Sequence, residues 1–120
     1  MLADYFEARI ARVRHRFASS LESKIQKTMS SAEHISRNEG DVTGYVSDSY
    51  RHLHNIYGIG PTVGFSATGE AAHEAETALM PAYLEKRART EEEVLRLKEA
   101  LVRLRDAAAS EMKLLHRLGR

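Results

Sequence analysis

Apolar residues recur along this chain at steps of three and four, which is the period of an amphipathic helix. The first stripe predicts a long helix from about Ala3 to Ile35. Its members are Phe6, Ile10, Val13, Phe17, Leu21, Ile25, Met29 and Ala32. The segment 37–41 then predicts a turn, in which Gly40 adopts a positive φ and Asp41 caps the helix that follows.

The second stripe predicts another helix beginning near residue 42. Its members are Val42, Val46, Ser49, Leu53, Ile56, Gly60 and Val63, and their alternating steps of four and three are typical of a bundle seam. Pro61 has no N–H group and crowds the carbonyl of Tyr57, so we expect a kink or an early stop there.

Two further helices are predicted in the second half of the chain. The third begins after Gly64 with Ser66 as its cap, and Pro81 either ends it or begins a further short turn. Its inward residues are Ala72, Ala75 and Leu79. Thr90 and Glu93 form a capping box for the fourth helix. The inward stripe of that helix is Val94, Leu97, Leu101, Leu104, Ala108, Met112, Leu115 and Leu118.

No segment alternates with period two over a useful length, so we expect no strands. Four amphipathic helices with short connections predict an all-α fold, an antiparallel up-down four-helix bundle, with residues 1–120 forming one domain. The first helix would then lie against the last. Phe6, Ile10 and Val13 would meet Met112, Leu115 and Leu118.

Composition narrows the function classes. Lys and Arg number 18 against 17 Asp and Glu, and this net charge of +1 argues against a nucleic-acid partner and against an anionic membrane. The chain contains no cysteine, which excludes disulfides and thiol chemistry. No apolar run approaches a membrane span and no signal peptide opens the sequence, so a cytoplasmic location is expected.

Several polar clusters are expected to carry no site. Glu70 and His73 have the spacing of a di-iron ligand pair, but no second pair of this kind exists, so we expect no metal site. His15, His34 and His116 fall on or beside polar helix faces. A basic stretch, formed by Arg9, Arg12, Arg14 and Arg16, is interpreted as a solvated face rather than a nucleic-acid contact.

His54 is the candidate for chemistry. Helical phasing places it beyond the edge of the buried stripe, with Arg51 and Gly58 on its solvent side. A glycine inside a helix costs about 1 kcal/mol relative to alanine, so something other than helix stability selects Gly58. An exposed imidazole beside bare backbone suits a nucleophile presented to a macromolecular partner. An ordinary surface histidine with a packing glycine is the alternative.

The whole segment favours the nucleophile. His54, Ile56, Gly58, Gly64 and Phe65, followed by the residues Ala71, Ala72, Ala75 and Glu76, resemble the motif of the histidine-containing phosphotransfer (HPt) domain family. The resemblance extends over roughly residues 17–108. The chain departs from the family at Tyr57, where the family has a lysine, and at Pro61. Arg51, one turn before His54, is a candidate to supply the missing cation.

The resemblance implies a two-component phosphorelay. His54 would accept a phosphoryl group from an aspartyl phosphate on a response-regulator receiver domain and pass it to another receiver, with Arg51, Tyr57 and Gly58 near the phosphate or the docked partner. A hybrid histidine kinase is a further implied partner. The receiver would supply Mg²⁺, and this chain would need no cofactor. Because the sequence has no nucleotide-binding glycine loop, phosphate would be relayed rather than taken from ATP.

A second hypothesis from another class is a non-catalytic helical interaction module. In that case the motif is degenerate, and Tyr57 and Ile59 form a binding patch. The sequence does not fix the oligomeric state under either hypothesis.

Overall fold

The chain is all-helical over residues 2–85 and 90–118, which are the residues that the computed structural model describes. The α-helices are α1 (Leu2–Arg37), α2 (Val42–Ile59), α3 (Ser66–Glu85) and α4 (Glu91–Leu118). A 3-10 turn, Gly60–Val63, connects α2 to α3. The described ranges contain no strand, so the predicted all-helical class is confirmed.

The four helices pack around one apolar core. α1 contacts α2, α2 contacts α3, α3 contacts α4, and α4 contacts α1. The largest fully buried apolar side chains are Phe65, Leu21, Ile35, Leu53, Ile56, Leu97, Leu101, Leu104 and Val63. Within the described parts of the chain, none of the helices has both the length and the apolarity needed to cross a bilayer.

The predicted stripe of α1 is buried over only part of its length. Phe17, Leu21, Ile25 and Ala32 enter the core, and Met29 packs against it. The earlier members remain exposed, with relative accessibilities of 54% for Phe6, 41% for Ile10 and 41% for Val13. These three side chains therefore lie outside the core, and the contact predicted between them and the end of α4 stays a prediction.

The last turns of α4 are themselves at most partly buried. On α4, Leu115 packs against the core, whereas Met112 is 37% exposed. The side chain of Leu118 lies outside the described residues. The first turns of α1 therefore lack the cover that their apolar pattern predicts.

The turn between α1 and α2 follows the sequence closely. Gly40 has a φ of +69°. The carboxylate of Asp41 accepts a hydrogen bond from the backbone N–H of Gly44 at 3.1 Å, so it satisfies a donor that the first turn of α2 would otherwise leave unpaired. Both predictions are confirmed.

The end of α2 also behaves as predicted. The α-helix stops at Ile59, and Pro61 occupies the start of the 3-10 turn, where its missing N–H removes no helical bond. Gly64 closes that turn with a φ of +97°. A Cβ on Gly69 would lie 2.6 Å from the ring of Pro61, so the absence of a side chain allows α3 to pack against this turn.

Two predictions for α3 are wrong. Ser66 is its first residue but not its cap: the carboxylate of Glu111, on α4, accepts the backbone N–H groups of Ala67 at 3.2 Å and Thr68 at 2.7 Å. Pro81 neither ends the helix nor begins a separate turn, since α3 continues to Glu85. Leu79 and Ala82, on either side of Pro81, are buried in the core, and their packing offsets the helix bond that proline cannot make.

The capping box of α4 is confirmed. The backbone N–H of Thr90 donates to Glu93 Oε1 at 2.7 Å, and the backbone N–H of Glu93 donates to Thr90 Oγ1 at 3.1 Å. These reciprocal bonds satisfy donors at the start of the helix.

Candidate functional site

His54 lies on the exposed surface of α2, as the helical phase predicts. Its side chain is 63% exposed, whereas Leu53 and Ile56 on the same helix are fully buried. A helix turns about 100° per residue, so these apolar neighbours fix the rotation of α2 and turn position 54 away from the core. The imidazole is therefore accessible to another protein.

A buried carboxylate contacts one nitrogen of this exposed ring. Oε2 of Glu76, on α3, lies 3.1 Å from Nδ1 of His54, and the Glu76 side chain is only 4% exposed. Glu76 shares its helix face with buried Ala72, Ala75 and Leu79, which pack in the core. Because a buried carboxylate is costly without a partner, this contact constrains both side chains.

A pair of stacked tyrosine rings lies on one side of the His54 imidazole. The ring of Tyr50, one turn earlier on α2, is parallel to the imidazole within 8°, with the centroids 5.8 Å apart. Tyr50 is itself stacked on Tyr83 of α3, at 4.1 Å and 7°. The imidazole thus has a carboxylate at one nitrogen and a supported aromatic ring on one side, which restricts its orientation.

Tyr57 occupies the position at which the resemblance would place a lysine. Its ring stacks on His73 of α3, with centroids 4.3 Å apart and an interplanar angle of 24°. Tyr57 lies one turn after His54 on α2, and His73 lies one turn before Glu76 on α3. The Tyr57 hydroxyl and the His73 imidazole are therefore one helical turn from His54 and from Glu76, respectively.

Gly58 leaves open space beside the site. A Cβ built at this position would meet no atom within 4 Å, and the residue is exposed. The packing role that the alternative interpretation gave this glycine is therefore absent within the described residues. A side chain at position 58 would therefore obstruct only a molecule that approaches this face of α2 from solvent.

Arg51 is placed differently from what its proposed role requires. Its guanidinium forms an ion pair with Asp48, one turn earlier on the same helix, and its side chain is 70% exposed. An exposed pair of this kind is weak, yet it directs the cation toward Asp48. The His54 imidazole contacts Glu76 and lies beside Tyr50, with Tyr57 one turn further along α2. The Arg51 guanidinium makes no contact with this imidazole.

His52 lies two residues from His54 in different surroundings. Burial lowers the pKa of His52 below its ordinary value, because desolvation penalises the imidazolium. The like charges of Lys27, Lys24 and Arg51 act in the same direction, whereas Asp48 opposes them. This histidine therefore faces the basic side chains of α1 rather than a carboxylate of α3.

Sequence reasoning missed several members of the site. Glu76 entered only as part of a motif, and His73 only as a candidate metal ligand. Helix periodicity identifies the exposed face of α2, but the partner residues on α3 depend on how the two helices meet. Within the described ranges, no group of three or more His, Asp or Glu residues is arranged to hold a metal ion.

The patch proposed for an interaction module is smaller than expected. Tyr57 is 39% exposed, but Ile59 is partly buried and packs against the core. Tyr57 therefore offers a partner more surface than Ile59 does.

No protein-family model matches the chain, and neither the curated proteins nor the solved structures include one with detectable similarity to it. The chemistry of the site is therefore inferred from its own side chains and their geometry, together with the motif around His54.

Proposed function

We propose that this chain is a phosphorelay protein of the HPt type, which accepts a phosphoryl group on His54 from a receiver-domain aspartyl phosphate and transfers it to another receiver. The observation that carries the proposal is the contact between the exposed imidazole and the buried carboxylate of Glu76, 3.1 Å from Nδ1. A surface histidine needs no such partner, whereas a nucleophilic histidine benefits from one.

The contact favours one tautomer of His54. An ionised carboxylate only accepts hydrogen bonds, so Nδ1 carries the proton and Nε2 keeps its lone pair. Since Nδ1 is bound to Glu76, Nε2 is the nitrogen left to react. The nucleophilic atom of the proposal is therefore Nε2 of His54.

The transfer step balances without a group bound to this chain. The Nε2 lone pair attacks phosphorus, the N–P bond forms, and the P–O bond to the aspartate breaks, with its electron pair leaving on the carboxylate. The imidazole then carries positive charge while its proton stays on Nδ1. The negative charge of Glu76 stabilises that cation, as the buried aspartate does for the histidine of serine-protease triads.

The receiver contributes the rest of the chemistry. Phosphoryl transfer depends on in-line placement and on cations that stabilise the charge on phosphorus, and in this proposal Mg²⁺ belongs to the receiver site. The open surface at Gly58 supports close approach by such a partner. The Tyr57 hydroxyl is a hydrogen-bond donor one turn along α2, at the position where the resemblance would place a lysine.

We further propose that the helices form an antiparallel up-down bundle. Contacting residue pairs support this arrangement. Along two neighbouring helices, the residue number in one helix falls as the number of its contact in the other rises. On α2 and α3, His54 contacts Glu76, and Tyr57 stacks on His73. On α1 and α4, Lys98 pairs with Glu33 at 3.6 Å. The groove near Arg14 is lined by residues of α4 much later in the chain, including Glu111 and Leu115.

The direct test is phosphotransfer from prephosphorylated receiver domains. We expect an acid-labile, alkali-stable label on the wild type, and none on His54→Gln. His52→Gln is the matched control, because it removes an imidazole two residues away and should keep the label. A label that persists in His54→Gln, or no label from any receiver of a broad panel, contradicts the proposal.

The reacting nitrogen can be tested without a receiver. Phosphoramidate is a small phosphoryl donor that reacts with accessible histidines. After treatment of ¹⁵N-labelled protein, NMR should assign the N–P bond of His54 to Nε2. A bond at Nδ1 would show that Glu76 does not hold the proton there.

A further inference from the structure

The charged side chains of α1 are segregated by sign around the helix. At about 100° per residue, most of its basic residues fall within a sector of about 120°, here called the basic face of α1. Its members are Arg9, Arg12, Arg16, Lys24 and Lys27. All acidic residues of α1 fall within about 80° on the opposite side of the helix. They are Asp4, Glu7, Glu22 and Glu33. The near-neutral total of the chain therefore conceals a helix with one strongly positive side.

Contacts between helices place the basic face beside α2. Lys24 Nζ donates to Asn55 Oδ1 at 2.6 Å, and Asn55 follows His54 in the chain. Burial lowers the pKa of His52, and the nearby positive charges of Lys27 and Lys24 lower it further. The basic face of α1 thus borders the exposed surface of α2 to which His54 belongs.

The acidic side of α1 faces α4 instead. Glu33 pairs with Lys98 of α4 at 3.6 Å, and Glu22 lines a groove between α1 and α4. Among the described residues, no carboxylate forms an ion pair with Arg16 or Lys27, and both of these side chains are exposed. The positive charge beside α2 is therefore not neutralised within the described parts of the chain.

The exposed surface of α2 adds little negative charge. Asp48 is the one acidic residue between the ends of this helix, and it pairs with Arg51. Gly58, one turn after His54, leaves the surface open, since nothing lies within 4 Å of a Cβ built there. A partner docked over His54 therefore meets bare backbone at Gly58 and positive charge along α1.

We propose that the basic face of α1 docks an acidic protein surface, the carboxylate-rich rim of the receiver site that exchanges phosphate with His54. This inference rests on the function proposed above. Mg²⁺ is bound through oxygen ligands, chiefly carboxylates and phosphate, so a receiver site that holds it is surrounded by negative charge. Opposite charge on the two surfaces accelerates their encounter and fixes their orientation. The basic face thus selects the partner, whereas His54 and Glu76 carry the chemistry.

Charge reversal tests the proposal with a receiver that transfers phosphate to the wild type. At low salt, Arg16→Glu with Lys27→Glu should lower kcat/KM by at least about tenfold, mainly through a higher KM for the phosphorylated receiver, with kcat within about threefold. Rising salt should slow the wild type and leave the reversed variant nearly unchanged. Arg16→Lys with Lys27→Arg keeps both charges and should retain the wild-type rate. Phosphoramidate should label His54 equally in every variant, because a small donor needs no docking surface.

Lys113→Glu with Arg117→Glu is the matched control. It changes the net charge by the same amount at exposed positions of α4, which does not contact α2 within the described residues. This control should transfer at the wild-type rate. An equal loss in the control and in the reversed variant overturns the proposal, since net charge alone would then explain the effect.

The remaining outcomes separate this proposal from the function on which it rests. Unchanged transfer by the reversed variant contradicts the docking surface alone. Binding of duplex DNA that charge reversal abolishes while transfer is unchanged would assign the basic face to a nucleic acid, and it also overturns the proposal. If no receiver of a broad panel transfers phosphate to the wild type, both the docking surface and the phosphorelay function are wrong.

Discussion

Two histidines on α2 stand two residues apart in contrasting surroundings. His54 contacts the buried carboxylate of Glu76 and lies beside the ring of Tyr50. His52 is partly buried near Lys27 and Lys24, which belong to α1. The one imidazole faces negative charge and open solvent, and the other faces positive charge and a neighbouring helix.

The contrast shows that residue type alone does not make a site. Two positions on a helix separated by two residues point about 200° apart, so they meet different neighbours. The carboxylate can hold a proton on one nitrogen of His54 and stabilise positive charge on the ring. The lysines penalise that same charge on His52. The following predictions test this difference in order of decreasing effect.

Removing the Glu76 carboxylate should abolish most of the difference between the surroundings of His54 and those of His52. Glu76→Gln keeps the shape of the side chain but loses its negative charge, so we expect transfer through His54 to slow by roughly a hundredfold or more. Rapid-quench kinetics with a phosphorylated receiver would measure the rate. Glu74→Gln is the control, because Glu74 is exposed and pairs with Arg103. Glu76→Gln rates within twofold of wild type would contradict the mechanism.

Closing the open side of the site should reduce access to His54. Gly58→Leu adds a side chain where nothing lies within 4 Å, so the fold should tolerate it and the helix gain about 1 kcal/mol. Transfer from a receiver should slow by about tenfold, because the partner no longer reaches the same position. Phosphoramidate labelling should remain unchanged, since a small donor still reaches Nε2.

A contrasting glycine separates access from packing. A Cβ at Gly69 would lie 2.6 Å from Pro61, so Gly69→Ala should lower the free energy of unfolding by about 1–3 kcal/mol. Denaturant titration of both variants would measure this. Equal transfer rates for Gly58→Leu and wild type would show that Gly58 has no part in docking.

Removing the aromatic support should have a smaller effect. Tyr50→Leu takes away the ring beside His54, and we expect about a fivefold loss of transfer rate, since aromatic pairs contribute about 0.5–1.5 kcal/mol. Tyr50→Phe should restore the rate because the stacking surface is retained. Ring-current shifts of the His54 imidazole protons in NMR should change with leucine and persist with phenylalanine. A loss equal in both variants would assign the effect to the hydroxyl.

The smallest effect concerns stability and pH at His52. Its pKa is lower in the folded chain than in the unfolded one, so the unfolded state binds more protons between those two values. Stability should therefore fall as the pH drops below about 6.5, the ordinary histidine value. Urea unfolding at several pH values should show a weaker fall in His52→Gln. Identical pH dependence in wild type and variant would contradict this origin.

Local patterns predict most of the helical architecture. The caps at Asp41 and Thr90 and the break at Pro61 involve groups within a few residues, so the sequence shows both partners. The cap of α3 is different, because Glu111 reaches it from a position more than forty residues away. Local sequence offers Ser66 as the cap, and only the packing of α4 against α3 reveals the other carboxylate.

The same distinction applies to the site. The apolar stripe of α2 is enough to place His54 outside the core and Gly58 beside it. It does not show that Tyr57 stacks on His73, which depends on how α2 and α3 pack. Nor does it show where the guanidinium of Arg51 points, which in the folded chain is toward Asp48 on the same helix.

By itself, the sequence determined the helices, their caps where both partners are local, and the exposure of His54, because these depend on hydrophobic period and neighbouring hydrogen bonds. Tertiary structure alone decided which carboxylate meets the imidazole, how Pro81 is accommodated within α3, and where the stripe of α1 leaves the core. Those features depend on contacts between helices, whose lengths and relative positions a periodic pattern does not encode.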